Sequence, residues 1–106
     1  MKILFDQGTP APLRRLLVDH VVITAHELGW SRLKNGDLLQ EAENAGFDAF
    51  LTTDQNLRYQ QNLSGRRIAI VVIQTTRWPR VRPYSEKVLT ALNAAVPGSY
   101  VEVAIP

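Results

Sequence analysis

Ile68-Ala69-Ile70-Val71-Val72-Ile73, inside the longer segment from Arg67 to Gln74, is the stretch on which the fold turns. A strand with one wet face alternates apolar and polar residues. An unbroken, largely β-branched run of this length instead buries both faces, as a strand central in a parallel sheet does. Parallel neighbours cannot be joined by a tight turn, because each pair needs a crossover, usually a helix. The chain on either side of residues 68–73 is therefore expected to alternate strand and helix.

It does so in both directions. Toward the amino terminus, Ala49 to Thr53 reads as the third strand, joined to the fourth by a short helical or irregular connector over Gln55 to Leu63. Asn35 to Ala45 reads as a helix, with Leu38, Leu39, Ala42 and Ala45 on one side, Gln40, Glu41 and Glu43 pointing away, and Gly46 ending it. His20 to Ala25 is the second strand. Pro10 to Val18 is a helix capped by Thr9 with Pro10 at its first position, burying Leu13, Leu16 and Leu17. Residues 2 to 6 form the first strand. Toward the carboxyl terminus, Tyr84 to Ala95 is a third helix and Ser99 to Ile105 a last strand, at an edge. The expectation is an α/β fold: one domain over residues 1–106, a mostly parallel central sheet, helices on both faces and right-handed crossovers. No internal repeat, low-complexity tract or linker interrupts it.

Composition narrows the function classes. The 106 residues suit one domain with a core of its own, and 45% hydrophobic and 21% charged residues are ordinary for a soluble globule. With no cysteine, disulfides, thiolate catalysis and zinc–thiolate sites are excluded, which fits a reducing cytoplasm. The amino terminus runs straight into a strand without the pattern of a signal peptide, and no apolar stretch reaches membrane-spanning length. A net charge of +2 and a sequence pI of about 9.3 lean mildly toward polyanionic partners.

Two aspartates carry the chemical reading. Asp6 follows Ile3-Leu4-Phe5, and Asp54 follows Leu51-Thr52-Thr53, so both sit at carboxyl ends of strands, the edge where open α/β sheets bind ligands. Asp37, in the first turn of the second helix after the loop from Gly29 to Gly36, is expected on the same edge. Asn56, two residues after Asp54, adds a side-chain oxygen. Converging carboxylates repel unless a cation or proton compensates, and hard cations such as Mg2+ or Mn2+ prefer such oxygen donors. A cation held there can activate water for in-line attack on a phosphate.

Bland roles compete for each residue. An aspartate after a strand commonly forms a turn, Asp37 complements a helix dipole, and Glu41 one helical turn later reads as solvated. His20 and His26 are not spaced as a metal pair and suit surface or strand-end packing. Trp30 and Trp78 suit packing. Arg66-Arg67 and the series Arg77, Arg80, Arg82 are solvated charges unless they flank the carboxylates, where they would hold a phosphate backbone.

Four segments together resemble the small bacterial PIN-like proteins: Ile3-Leu4-Phe5-Asp6-Gln7, His26-Glu27-Leu28-Gly29-Trp30, Asn35-Gly36-Asp37-Leu38-Leu39 and Leu51-Thr52-Thr53-Asp54-Gln55-Asn56-Leu57. The resemblance runs from residue 1 to about residue 73. It implies a PIN-like three-layer sandwich and a Mg2+- or Mn2+-dependent endoribonuclease, the toxin of a toxin–antitoxin pair. Asp6, Asp37 and Asp54 match the family's acidic positions and are the implied catalytic residues and metal ligands; Asn56, by its side-chain oxygen, is expected as a further metal ligand, and Arg66 and Arg67, by their charge, as RNA-binding residues. The implied partners are RNA, a small antitoxin protein and a second copy in a homodimer, with no membrane. Asn56 stands where the family often carries another aspartate, so one negative charge is missing and weaker metal binding is expected.

Two other readings stay open. One is a catalytically silent PIN-like module that binds a partner. The other is a phosphoacceptor receiver-like domain, suggested by Asp6, Asp54 and Thr75-Thr76 after the fourth strand, but Gln7 replaces its usual second acid and residues 101–106 contain no lysine.

Overall fold

The computed structural model describes residues 1–106, the side chain of Gln60 excepted. Its strands are β1 (Lys2–Phe5), β2 (Val21–Thr24), β3 (Ala49–Thr52), β4 (Ala69–Ile73) and β5 (Tyr100–Val103). They form one sheet in the order β2-β1-β3-β4-β5, parallel at every pairing. The IAIVVI run thus yields an interior strand, as its two apolar faces require. The middle place goes to β3, and β5 lies at an edge as expected.

Register explains how each strand serves two cores. Ile3 pairs with Val22 and Ala49, and Leu51 with Phe5 and Val71, so these side chains share one face. That face is covered by Leu13 and Leu17 from a 3-10 turn over Ala11–Leu16 and by Val81, Val88 and Leu92 from α3 (Trp78–Val81) and α4 (Ser85–Ala94). The opposite face, with Leu4, Phe50, Ile70 and Val72, is covered by Leu38, Leu39 and Ala42 of α1 (Asn35–Asn44) and Leu57 of α2 (Leu57–Gln60). Helices therefore lie on both faces of an all-parallel sheet.

Several local expectations change. The segment after β1 is 3-10 rather than α, with Pro10 at the cap position and no side-chain cap. Prolines 10 and 12 deny it two backbone donors, and Thr9 turns its hydroxyl to Asp6 and the Leu51 carbonyl instead. Leu16 is left 44% exposed as the chain leaves helical geometry at Leu17. Ala45 is also exposed, capping α1 just before Gly46, whose φ of +80° ends the helix as expected. Residues 78–83, read only as charges and a tryptophan, fall in α3 and in a 3-10 turn over Arg82–Tyr84, and Val81 is buried there. Four residues are too few for periodicity to reveal.

Handedness also departs from uniformity. The steps from β2 to β3 and from β4 to β5 move the same way across the sheet, yet α1 and α4 lie on opposite faces. The two crossovers therefore have opposite hands, against the usual uniform right-handedness. The long 74–99 connection sends its helices to the face that the short 3-10 turn covers only with Leu13 and Leu17.

The consequence for function lies between β1 and β3. The chain leaves β1 on one face and β3 on the other, which opens a crevice at their carboxyl ends, the switch point where sheets of this strand order bind ligands.

Candidate functional site

Each strand at that crevice stops one or two residues short of its aspartate, which leaves the carboxylates on loops. The Asp6 N–H still donates to the Leu51 carbonyl at 3.3 Å, continuing the ladder beyond Phe5, and the Thr9 N–H turns back to the Asp6 carbonyl. The Thr9 hydroxyl lies 2.5 Å from Asp6 Oδ1 and 2.9 Å from the Leu51 carbonyl. A β-carbon at Gly8 would fall 2.6 Å from Thr53 Oγ1. The loops after β1 and β3 therefore lie against each other, and a side chain at position 8 would displace the Thr53 hydroxyl.

Thr52 joins the two acids. Its fully buried hydroxyl donates to Asp6 Oδ2 and accepts the Asp54 N–H at 3.1 Å. Asp54 Oδ1 accepts the Asn56 N–H at 3.0 Å, and Oδ2 accepts the Asn35 side-chain amide at 2.6 Å. Every carboxylate oxygen thus has one such donor and retains a lone pair. Burial holds the Asp6 carboxyl above its ordinary range. The hydroxyls of Thr52 and Thr9 pull it back, and the Asp54 charge pushes it up again. Among the described residues, no ion pair compensates either acid.

Two depressions meet at Asp6. One, of about 140 Å³, is walled by Asp6, Gly8, Trp30, Ser31, Asn35 and Leu38. Asp54 and Asn56 stand outside this lining, and Asp54 reaches it through Asn35. The other, of about 460 Å³, lies toward Thr24 and His26. A roomier cleft of about 620 Å³ opens at the opposite, amino edge among Phe47, Ile68, Val96 and Pro97, and its Glu43 and Arg67 are paired to each other.

The remaining expected residues separate. Asp37 is exposed in the first turn of α1, and among the described residues no three His, Cys, Asp or Glu side chains gather as a metal cluster, so the expected triad is a pair. Asn56 is exposed at the start of α2 and touches Asp54 through its backbone. Arg66 and Arg67 do not flank the carboxylates. Arg66 lies along α1, bonded to Glu43 at 3.1 Å and Gln40 at 3.2 Å, and Arg67 leads into β4 at the amino edge, also paired with Glu43. The physical reason is position: residues just before a strand occupy the edge opposite to residues just after one. Among the basic residues that follow strands, Arg32 and Lys34 in the loop after β2 and Arg77 after β4 are exposed and without an ion pair among the described residues, whereas Arg58 after β3 pairs with Glu102.

Asn35, Thr9 and Thr52 are the site residues that sequence reading missed. Thr52 left a trace, since a hydroxyl within an otherwise apolar buried strand needs a partner. Asn35 left none beyond its place at the start of a helix. No family model, curated protein or solved structure matches this chain.

Proposed function

We propose that this protein is a PIN-like, Mg2+- or Mn2+-dependent endoribonuclease of the cytoplasm, the toxin of a toxin–antitoxin pair. The resemblance of residues 1 to 73 supports the family. The observation that carries the chemistry is the Asp6–Asp54 pair: two uncompensated carboxylates at a switch-point crevice, one of them resisting ionisation through burial. One or two carboxylates plus waters and substrate phosphate suit Mg2+, so the donor set fits such an ion.

Asp6 and Asp54 would hold the cation, which when bound supplies an activated water and offsets charge developing on the phosphate. Thr52, Thr9 and Asn35 fix the two carboxylates in place. Arg32, Lys34 and Arg77 take the phosphate-binding role first given to Arg66 and Arg67. A small antitoxin is the partner that would neutralise the activity.

Purified protein should cleave single-stranded RNA with Mg2+ or Mn2+ and stop on chelation, and millimolar metal should raise its melting temperature. No cleavage and no thermal shift would leave the silent partner-binding module. Asn35→Ala removes the 2.6 Å bond that orients Asp54 and should weaken Mn2+ binding by about 10–100-fold, as losses of such orienting partners do. Calorimetric titration with Mn2+ measures it, and an unchanged affinity would remove Asp54 from the ligand set.

Strand order favours one further reading. The order β2-β1-β3-β4-β5 is also that of phosphoacceptor receiver domains, and it sets Asp54 and Thr75 after neighbouring strands. Gln7 and the absence of lysine in residues 101–106 weigh against it. Covalent labelling of Asp54 by a small phosphodonor would establish it in place of hydrolysis.

A further inference from the structure

His26 lines one of the two depressions that meet at Asp6 and Asn35 the other, and His26 stands in a turn fixed at both ends. The Thr24 N–H donates to Glu27 Oε1 at 3.0 Å, the Glu27 N–H donates back to Thr24 Oγ1 at 3.1 Å, and the Gly29 N–H closes on the His26 carbonyl. Arg14 grips the same Glu27 oxygen at 2.7 Å. These bonds, the Thr24 N–H first and then Arg14, hold the Glu27 carboxyl below its usual range. The exposed imidazole at the top of this turn makes no hydrogen bond among the described residues. His20, by contrast, is fully engaged, with the Met1 amine at 3.1 Å on one nitrogen and Asn93 at 2.8 Å on the other.

The space beside His26 is the pocket of about 460 Å³ lined by Asp6, Gln7, Thr9, Ala11, Thr24 and His26. Asp6 and Gln7 also line the smaller cleft, so Asp6 sits on a saddle and not at a closed end. A phosphodiester placed at Asp6 carries a nucleoside on each side. Small-molecule pockets run from about 300 to 1,000 Å³. The pocket beside His26 falls in that range, and the cleft of about 140 Å³ does not.

We propose that the Thr24–His26 pocket is the subsite for the RNA nucleotide adjoining the scissile phosphate, with a ring N–H of His26 donating to an oxygen of that nucleotide's other phosphate. The proposal rests on the nuclease reading for its ligand. Its geometry is independent of the metal: an unpartnered donor, on a turn whose backbone is held by Thr24 and Glu27, lines a pocket that shares Asp6 with the reacting centre. His26 is a substrate-positioning residue here, not a catalytic one.

The test is fluorescence anisotropy of a short, labelled single-stranded RNA on Asp54→Asn protein in chelator, where no cleavage occurs. His26→Ala should weaken binding about ten-fold, the scale of one hydrogen bond to a charged group. His26→Gln keeps an N–H donor and should recover most of that loss. Arg67→Ala, at the amino edge, should bind as the parent does. In protein with Asp54 intact, His26→Ala should raise KM and leave kcat nearly unchanged. Equal binding by His26→Ala and the parent, an equal loss in His26→Gln and His26→Ala, or no measurable RNA binding by the parent overturns the subsite. Binding that depends on His26 in a protein that cleaves nothing would keep the subsite and end the nuclease reading. Cleavage that depends on Asp54 but binding indifferent to His26 would do the reverse.

Discussion

Asp54→Asn should lower RNA cleavage by at least about a hundred-fold while the protein stays folded. Loss of a residue that merely orients a metal ligand costs about 10–100-fold, and Asp54 is proposed as a ligand itself. The substitution removes a charge and almost no volume. Asn retains an oxygen to accept the Asn56 N–H, and a flip of the Asn35 amide turns its oxygen toward the new NH2, so the loops need not rearrange. Single-turnover cleavage at saturating Mn2+, with circular dichroism melts of both proteins, makes the comparison. Equal cleavage by the two proteins at matched purity would mean that a contaminating ribonuclease supplies the activity.

Asp6→Asn should act in the opposite direction on stability, raising the melting temperature at pH 7. Burial, foremost, together with the Asp54 charge lifts the Asp6 carboxyl above the value it has in the unfolded chain, so the folded state binds its proton more tightly. That preference is a stabilisation fully present below the unfolded value, near pH 4, and lost as pH rises through the elevated folded value. Once ionised, the wild-type Asp6 holds a half-buried charge with no ion pair among the described residues, a cost that the neutral isostere lacks. For a chain of this size each kcal/mol relieved reads as about 4 °C or more. The advantage of Asp6→Asn should shrink toward zero as pH falls below about 4, where both side chains are neutral. Millimolar Mg2+ should narrow the gap at pH 7 by stabilising the wild type alone. Melts from pH 3 to 8, with and without Mg2+, decide it. An Asp6→Asn protein less stable than wild type at pH 7 would show that the Thr9 and Thr52 hydroxyls outweigh the cost of burying the charge.

These two results bear on different parts of the site. Thr52 and Thr9 bond to the Asp6 carboxylate, whereas the side chain that reaches Asp54 comes from α1. Between the loops, the close approach of position 8 to the Thr53 hydroxyl favours a residue without a β-carbon there.

What the sequence determined by itself is the alternation and its faces. The apolar run of residues 68–73 dictates a strand buried on both sides, the spacing of Leu38, Leu39 and Ala42 dictates a helix that covers a sheet, and the glycine at 46 dictates where that helix stops. These are local consequences of periodicity and backbone freedom, legible without knowing any neighbour. For the same reason Asp6 and Asp54 could be assigned to the carboxyl edge, since a residue that follows a strand in a parallel sheet has no other place to be. What only the tertiary structure decided is which strands are neighbours and which polar groups meet. Nothing local tells that β1 lies between β2 and β3, that Arg66 is drawn to Glu43 along α1, or that Asn35 and not Asp37 reaches Asp54. Residues two apart on a helix diverge by about 200°, so two positions separate Asn35, whose side chain bonds Asp54, from Asp37, left in solvent. That rotation is set by how Leu38, Leu39 and Ala42 pack beneath the sheet, and packing is a property of the assembled chain.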